Sequence, residues 1–227
     1  MTITNADPVV APDRAPVRTP AVDALAAPAP RAAGDTADPT LLGAPSFAIG
    51  AIGLGLFLAG FRSLDNSLAG PLPIMIFTSG IGLMIATAWA IRRGQGPLAA
   101  VYGIFGSFWL SLSALTIGLT NNWFGPLDMA AQFDATANFL LTWFIALVGL
   151  TVASLRMPAV FTVMFVVIDL SLIANFLAVV TGSDAVLLVG TCGVFVFALV
   201  GLYLFASAMY AATGGRPFPL GSPLLKN

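Results

Sequence analysis

The sequence has no histidine and no glutamate, one lysine (Lys226) and one cysteine (Cys192). A lone cysteine cannot close an intrachain disulfide, and without histidine a zinc site has too few ligands to draw on. No nucleophile–base pair and no phosphate-binding glycine loop is present, so the chain does not read as an enzyme and implies neither a metal nor another cofactor. Charge is also scarce. Only 8% of the residues are charged, against about 25% in a soluble domain. With a net charge of −1 and no basic patch to grip phosphates, nucleic acid is excluded as a partner.

What fills the sequence is apolar side chain, 58% of 227 residues. So little charge cannot keep so much apolar surface in water, and the composition predicts an integral membrane protein with the lipid bilayer as its surroundings. Residues 1–40 differ. They are rich in Ala, Pro, Asp and Arg, lack the apolar core of a secretory signal, and read as a disordered cytoplasmic tail. Six apolar runs follow, at about 41–61, 71–91, 98–119, 136–155, 158–180 and 185–211, each near the ~20 residues that cross a bilayer core. The expected fold is therefore all-α: a six-helix transmembrane domain over 41–211 and a short cytoplasmic C-terminal tail over 212–227.

Charge placement orients the spans. With an even number of spans and both termini inside, the inner segments hold Arg14, Arg18, Arg31, Arg92, Arg93, Arg156, Arg216 and Lys226. The outer loops hold Arg62, together with Asp65, Asp128, Asp134 and Asp184. Eight cations inside against one outside is the positive-inside pattern of a multi-pass plasma-membrane protein with both termini cytoplasmic. The preference for Arg over Lys, with abundant Ala and Pro, suggests a GC-rich bacterial source.

Small and polar residues recur at helical spacing. Ala51, Gly55 and Ala59 share one face of the first span, a pattern that lets helices approach closely. In the third span, "YGIFGSFWLSLSAL" places Gly103, Ser107 and Ser111 on one stripe and Gly106, Leu110 and Ser113 on its neighbour. Those stripes predict a face against another helix or a wet passage, although a serine hydroxyl can also be satisfied on its own helix. Trp109 points elsewhere and reads as packing. In the fifth span Ile168, Ser171 and Asn175 share a face, a second candidate lining. Asp169 is the one charged residue placed inside a span, about 100° round the helix from Ile168. An intramembrane acid usually has a function. Here it would act either as a proton carrier or as a structural hydrogen-bonding group against a neighbouring helix.

"GSFWLSLSAL" following "YGIF" resembles the third-span signature of the acetate uptake transporter family, the YaaH-type acetate and succinate transporters, whose members typically read Tyr-Gly-Ser-Phe-Trp there. "DPTLLGAPSF", with Asp38, Pro39, Leu42 and Gly43, is similar to the family's Asn-Pro-x-Pro-Leu-Gly-Leu lead into the first helix. "YLFASAMYAATGGRPFPLG" is similar to its sixth helix and tail. The likeness covers about residues 38–221. It implies a compact six-helix protomer, a ring-like homo-hexamer with a passage through each protomer, and uptake of small carboxylates, commonly acetate, with protons. It also implies an apolar constriction of Phe, Tyr and Leu from helices one, three and five. These fall here on Phe47, Phe105 and Ile168, or Leu170 in the neighbouring register. Phe105 in place of Tyr removes a hydroxyl, and Asp38 replaces Asn. Phe47, Phe105 and Ile168 lie 6, 7 and 10 residues from the starts of their spans, and so at similar depth.

Three function classes remain open on the sequence. One is a proton-linked monocarboxylate symporter, another a passive channel for a small neutral solute such as an undissociated acid, urea or an amide, and the last a non-transporting scaffold or sensor. The topology is directly testable. In a Cys192→Ser background, a cysteine introduced into the 92–96 connector is expected to resist a membrane-impermeant maleimide in intact cells. Labelling there would overturn the orientation.

Overall fold

The computed structural model describes residues 37–61 and 69–226. The tail expected over 1–40 lies outside the described residues except for its last four positions, and so do Arg62 and Asp65. Among the described residues there are no strands. Six helices are each long and apolar enough to cross a membrane: α1 Thr40–Leu58, α2 Pro71–Arg92, α3 Gly96–Thr120, α4 Met129–Ser154, α5 Ala159–Thr181 and α6 Asp184–Ala212. Successive helices alternate in direction. One end of the bundle, the first end, holds the starts of α1, α3 and α5, and the second end holds the starts of α2, α4 and α6.

Local chemistry sets the boundaries. Asp38 Oδ1 accepts the Thr40 N–H at 2.9 Å and starts α1. The helix stops at Leu58, three residues short of the expected 61. Gly60 turns left-handed at φ +66°, and the Phe61 N–H reaches back to the Leu56 carbonyl at 3.0 Å. Ala59 thus leaves the small-residue stripe and is exposed, whereas Ala51 and Gly55 are buried, Gly55 against the Phe195 ring of α6. The start of α4 is a larger correction. Asp128 accepts the Ala131 N–H at 2.8 Å as an N-cap, so the helix begins at Met129 rather than near 136. Asp134, read as a loop residue, therefore rides on its second turn. It joins Asp169 as a helical acid, and Asp184 opens α6.

α1 packs against α2 and α6, α6 against α5, and α5 against α4, while α3 packs chiefly on α2. The contact between α1 and α2 is built on small residues. Over Ile74–Ile81, α2 widens into a π-helix whose buried positions are Met75, Ser79 and Gly80. Ser79 donates its hydroxyl to the Ser46 carbonyl of α1 at 2.6 Å. Gly50 faces Ser79 so closely that a Cβ there would collide with its hydroxyl and meet Trp109 Cε2 at 3.3 Å. At the first end the chain after α6 folds back onto the bundle. Tyr203 donates to the Pro219 carbonyl at 2.7 Å, and the Leu220 carbonyl accepts the Val160 N–H at 3.0 Å, satisfying one of the free donors at the start of α5.

Gly50→Ala is expected to destabilise the detergent-purified protein by about 1–3 kcal/mol, because the added methyl must push Ser79 away. Adding Ser79→Gly is expected to recover part of that loss in a thermal melt, and strict additivity of the two changes would contradict the contact.

Candidate functional site

Phenylalanines from four helices meet inside the bundle. Phe47 of α1 and Phe105 of α3 stand edge-on with ring centroids 4.9 Å apart. Phe197 of α6 flanks Phe47 at 5.6 Å, and Phe165 of α5 flanks Phe105 at 5.9 Å. Ring pairs at such distances contribute about 0.5–1.5 kcal/mol each beyond their buried area. Phe47 is 5% exposed and Phe105 3%, so no open bore runs between them.

Two cavities meet at this pair. The larger, about 220 Å³, is lined by Phe47, Phe105 and Ile168 and then by Leu112, Thr116 and Asn175 toward the second end. The smaller, about 20 Å³, is also lined by Phe47 and Phe105, and then by Ala44, Val101, Tyr102 and Met164 toward the first end. The aromatic pair therefore stands between a larger chamber toward the second end and a small pocket toward the first.

The motif that leads into α1 shapes the closed side. Pro39 is buried, Leu42 packs on the core, and Gly43 faces the Tyr102 ring, where a side chain would collide. The Asp38 carboxylate accepts the Thr40 N–H in the same turn. Asp38, Pro39, Leu42 and Gly43 thus seat the first turn of α1 on α3 and lie outside the larger chamber.

The structure divides the other candidates. Ile168, Ser171 and Asn175 all line the chamber, and Leu170 points outward, 62% exposed. Ser107 and Ser111 do not line it. Ser107 is exposed and donates to the Gly103 carbonyl at 2.8 Å, while Ser111 donates to the Phe108 carbonyl at 3.0 Å. Trp109 is buried and contributes to the chamber wall as well as to packing. Asp169 is not part of that wall. Its Oδ2 accepts the Thr151 hydroxyl of α4 at 2.6 Å, beside a second α4–α5 link in which Thr162 donates to the Ser154 carbonyl at 2.9 Å. Among the described residues no three side chains of metal-ligating type gather.

Sequence reasoning missed Phe165, Phe197, Thr116 and Thr136. Phe165 lies three residues before Ile168, so the helical repeat alone could have placed it on the lining face. Thr116 and Thr136 sit on helices whose other polar residues point elsewhere, and Phe197 sits on one with little polar contrast to mark its inward side.

Comparison with known proteins places this geometry. The chain is 32% identical over 133 residues to the acetate transporter protein patA of Aspergillus clavatus, covering 56% of this chain and 51% of that protein. It is 27% identical over 157 residues to the ammonia transport outward protein 2 of Saccharomyces cerevisiae, covering 66% and 53%. The chain thus spans about half the length of the curated relatives it matches. The solved structure of the bacterial acetate channel SatP superposes with a TM-score of 0.70 at 22% identity, over 82% of this chain and 99% of that one, a likeness of fold. Residues 23–216, which take in all six spanning helices and the aromatic neck, match one family throughout, and the chain belongs to the GPR1/FUN34/yaaH family.

Proposed function

We propose that this multi-pass membrane protein transports small monocarboxylates, acetate among them, in a proton-linked manner through the neck formed by Phe47, Phe105 and Ile168. The observation that carries the reading is the pair of cavities, about 220 and 20 Å³, that share Phe47 and Phe105 as their common wall. A chamber below the ~300–1,000 Å³ of drug-sized pockets suits a solute of a few heavy atoms. An apolar neck favours small species with little charge to desolvate. The relatives named for acetate transport support the choice of substrate. A passive channel for a small neutral solute is the second reading, favoured by the lack of ionisable side chains among the described residues of the chamber wall. In either case the reading includes cytoplasmic termini, from the cation asymmetry, and the ring-like hexamer that the family resemblance implies. Native mass spectrometry of the detergent-solubilised protein tests the hexamer.

Uptake of labelled acetate, propionate, lactate, succinate and urea into proteoliposomes, with protein-free vesicles subtracted, tests the function. Acetate accumulation that requires an inward proton gradient is the expected result. Urea uptake without acetate uptake would overturn it in favour of the neutral channel.

If the neck selects by size, Phe47→Ala is expected to raise the lactate-to-acetate uptake ratio about tenfold, equivalent to ~1.4 kcal/mol off the barrier for the larger acid. Phe105→Tyr, which restores the family hydroxyl, is expected to lower that ratio. Asp169, placed off the chamber, is read as a structural partner of Thr151. Asp169→Asn keeps an acceptor for that hydroxyl, so acetate flux and its pH dependence are expected to persist. Loss of accumulation in an assembled Asp169→Asn protein would make Asp169 the proton carrier.

A further inference from the structure

Among the described residues lining the larger chamber, none ionises. Its polar side chains are Thr116 on α3, Thr136 on α4 and Ser171 and Asn175 on α5, together with the Trp109 indole N–H, a donor without a partner that is buried within the wall away from the cavity surface. Each hydroxyl hydrogen is already committed. Thr116 donates to the Leu112 carbonyl at 2.8 Å, Thr136 to the Gln132 carbonyl at 2.9 Å and Ser171 to the Gly190 carbonyl of α6 at 2.7 Å. The Asn175 amide nitrogen lies 2.8 Å from the Ser171 carbonyl and 3.5 Å from the Ser171 hydroxyl. A carbonyl oxygen only accepts, so the amide must present its nitrogen there and its oxygen on the opposite side. What these four side chains have left to offer a ligand is lone pairs.

We propose that this chamber holds a hydrogen-bond-acceptor site, centred on Asn175 Oδ1, that takes the undissociated carboxylic acid through its O–H and turns away the carboxylate anion. The proposal rests on the transport reading above and specifies the species that moves. A carboxylate brings acceptors alone. Opposite those acceptors, with no cation among the described lining residues and the one unpartnered donor, the Trp109 N–H, buried in the wall, it would keep its charge uncompensated. The neutral acid brings one donor, which fits the unpartnered amide oxygen. Each acid then carries its own proton, so proton linkage needs no ionisable side chain and net charge does not cross. Gly190 keeps the amide in place, because a Cβ there would stand 2.5 Å from Asn175 Nδ2.

The test uses the unaltered protein in proteoliposomes at low temperature, with a trapped pH dye, labelled acetate, and membrane potentials set by potassium and valinomycin. Protein-free vesicles supply the background for acid crossing the lipid. The expected result is one proton delivered per acetate at a rate independent of potential. Asn175→Leu is expected to lower the protein-dependent flux about tenfold, the worth of one hydrogen bond. Gly190→Ala, which displaces the amide without deleting it, is expected to lower flux in the same direction, and the near-isosteric Thr116→Val by about twofold to threefold. Acetate uptake that follows the potential without acidifying the lumen would overturn the acid-selective site and leave the transport reading standing. Unchanged flux in assembled Asn175→Leu and Gly190→Ala proteins would equally overturn the site. Failure of any tested acid to exceed the protein-free background would overturn the transport reading, and this proposal with it.

Discussion

A polar group inside a bilayer must find its partner within the protein, because hydrocarbon offers none and each unsatisfied group costs several kcal/mol. That constraint organises the polar side chains of the spanning helices. Ser107, Ser113, Thr116, Thr136 and Thr191 all donate to a carbonyl four residues earlier on their own helix. Others reach across to a neighbour: Ser79 to α1, Thr151 and Thr162 between α4 and α5, and Ser171 to α6. Two of these cross-links, from Ser79 and Ser171, coincide with tight helix contacts, where Gly50, Gly190 and Gly193 let a side chain lie against a bare backbone. Packing and chemistry thus share one cause. The bonds that tie the bundle together also decide which lone pairs remain for a solute.

The neck follows from the same economy of polar groups. Phe47, Phe105, Phe165 and Phe197 bring large rings and no hydrogen-bonding demand, so they can close the bundle interior without unsatisfied atoms. Tyr102, an aromatic residue with a polar tip, sits where α1 begins, its ring against Gly43. Polarity is therefore graded along the interior. Toward the first end the Tyr102 ring lies against Gly43, the middle is aromatic with Ile168, and the second half offers acceptors on α3, α4 and α5.

Much of this was legible in the sequence, and the misses have physical causes. The six spans followed from apolar runs because crossing hydrocarbon demands them. Phe47, Phe105 and Ile168, expected at similar depth on α1, α3 and α5, line one chamber. The start of α4 was misplaced because Gln132, Asp134 and Asn138 look like a loop to a hydropathy reading, although Asp128 followed by Met129 carries an ordinary N-cap signal. Ser107 and Ser111 show the deeper difficulty. Spacing tells which residues share a face but not where that face points. In water the outward face is polar and the inward face apolar. In a membrane both lipid and core are apolar, so the Ser107 side of α3 turned outward while Phe165 and Phe197 turned inward with no polar residue beside them in the sequence to single them out.

The aromatic chain also bears on how fast anything can pass. Phe105 is held between Phe47 and Phe165, and Phe47 between Phe105 and Phe197. In an interior packed as densely as a crystal of small molecules, a ring gripped on both sides cannot swing until its neighbours yield. Opening is then a concerted rearrangement shared by four helices rather than the motion of one side chain. Passage through such a barrier warms differently from diffusion through a water-filled pore. On the proposed transport reading, its rate would climb steeply with temperature, because each crossing would wait on the coordinated loosening of several rings.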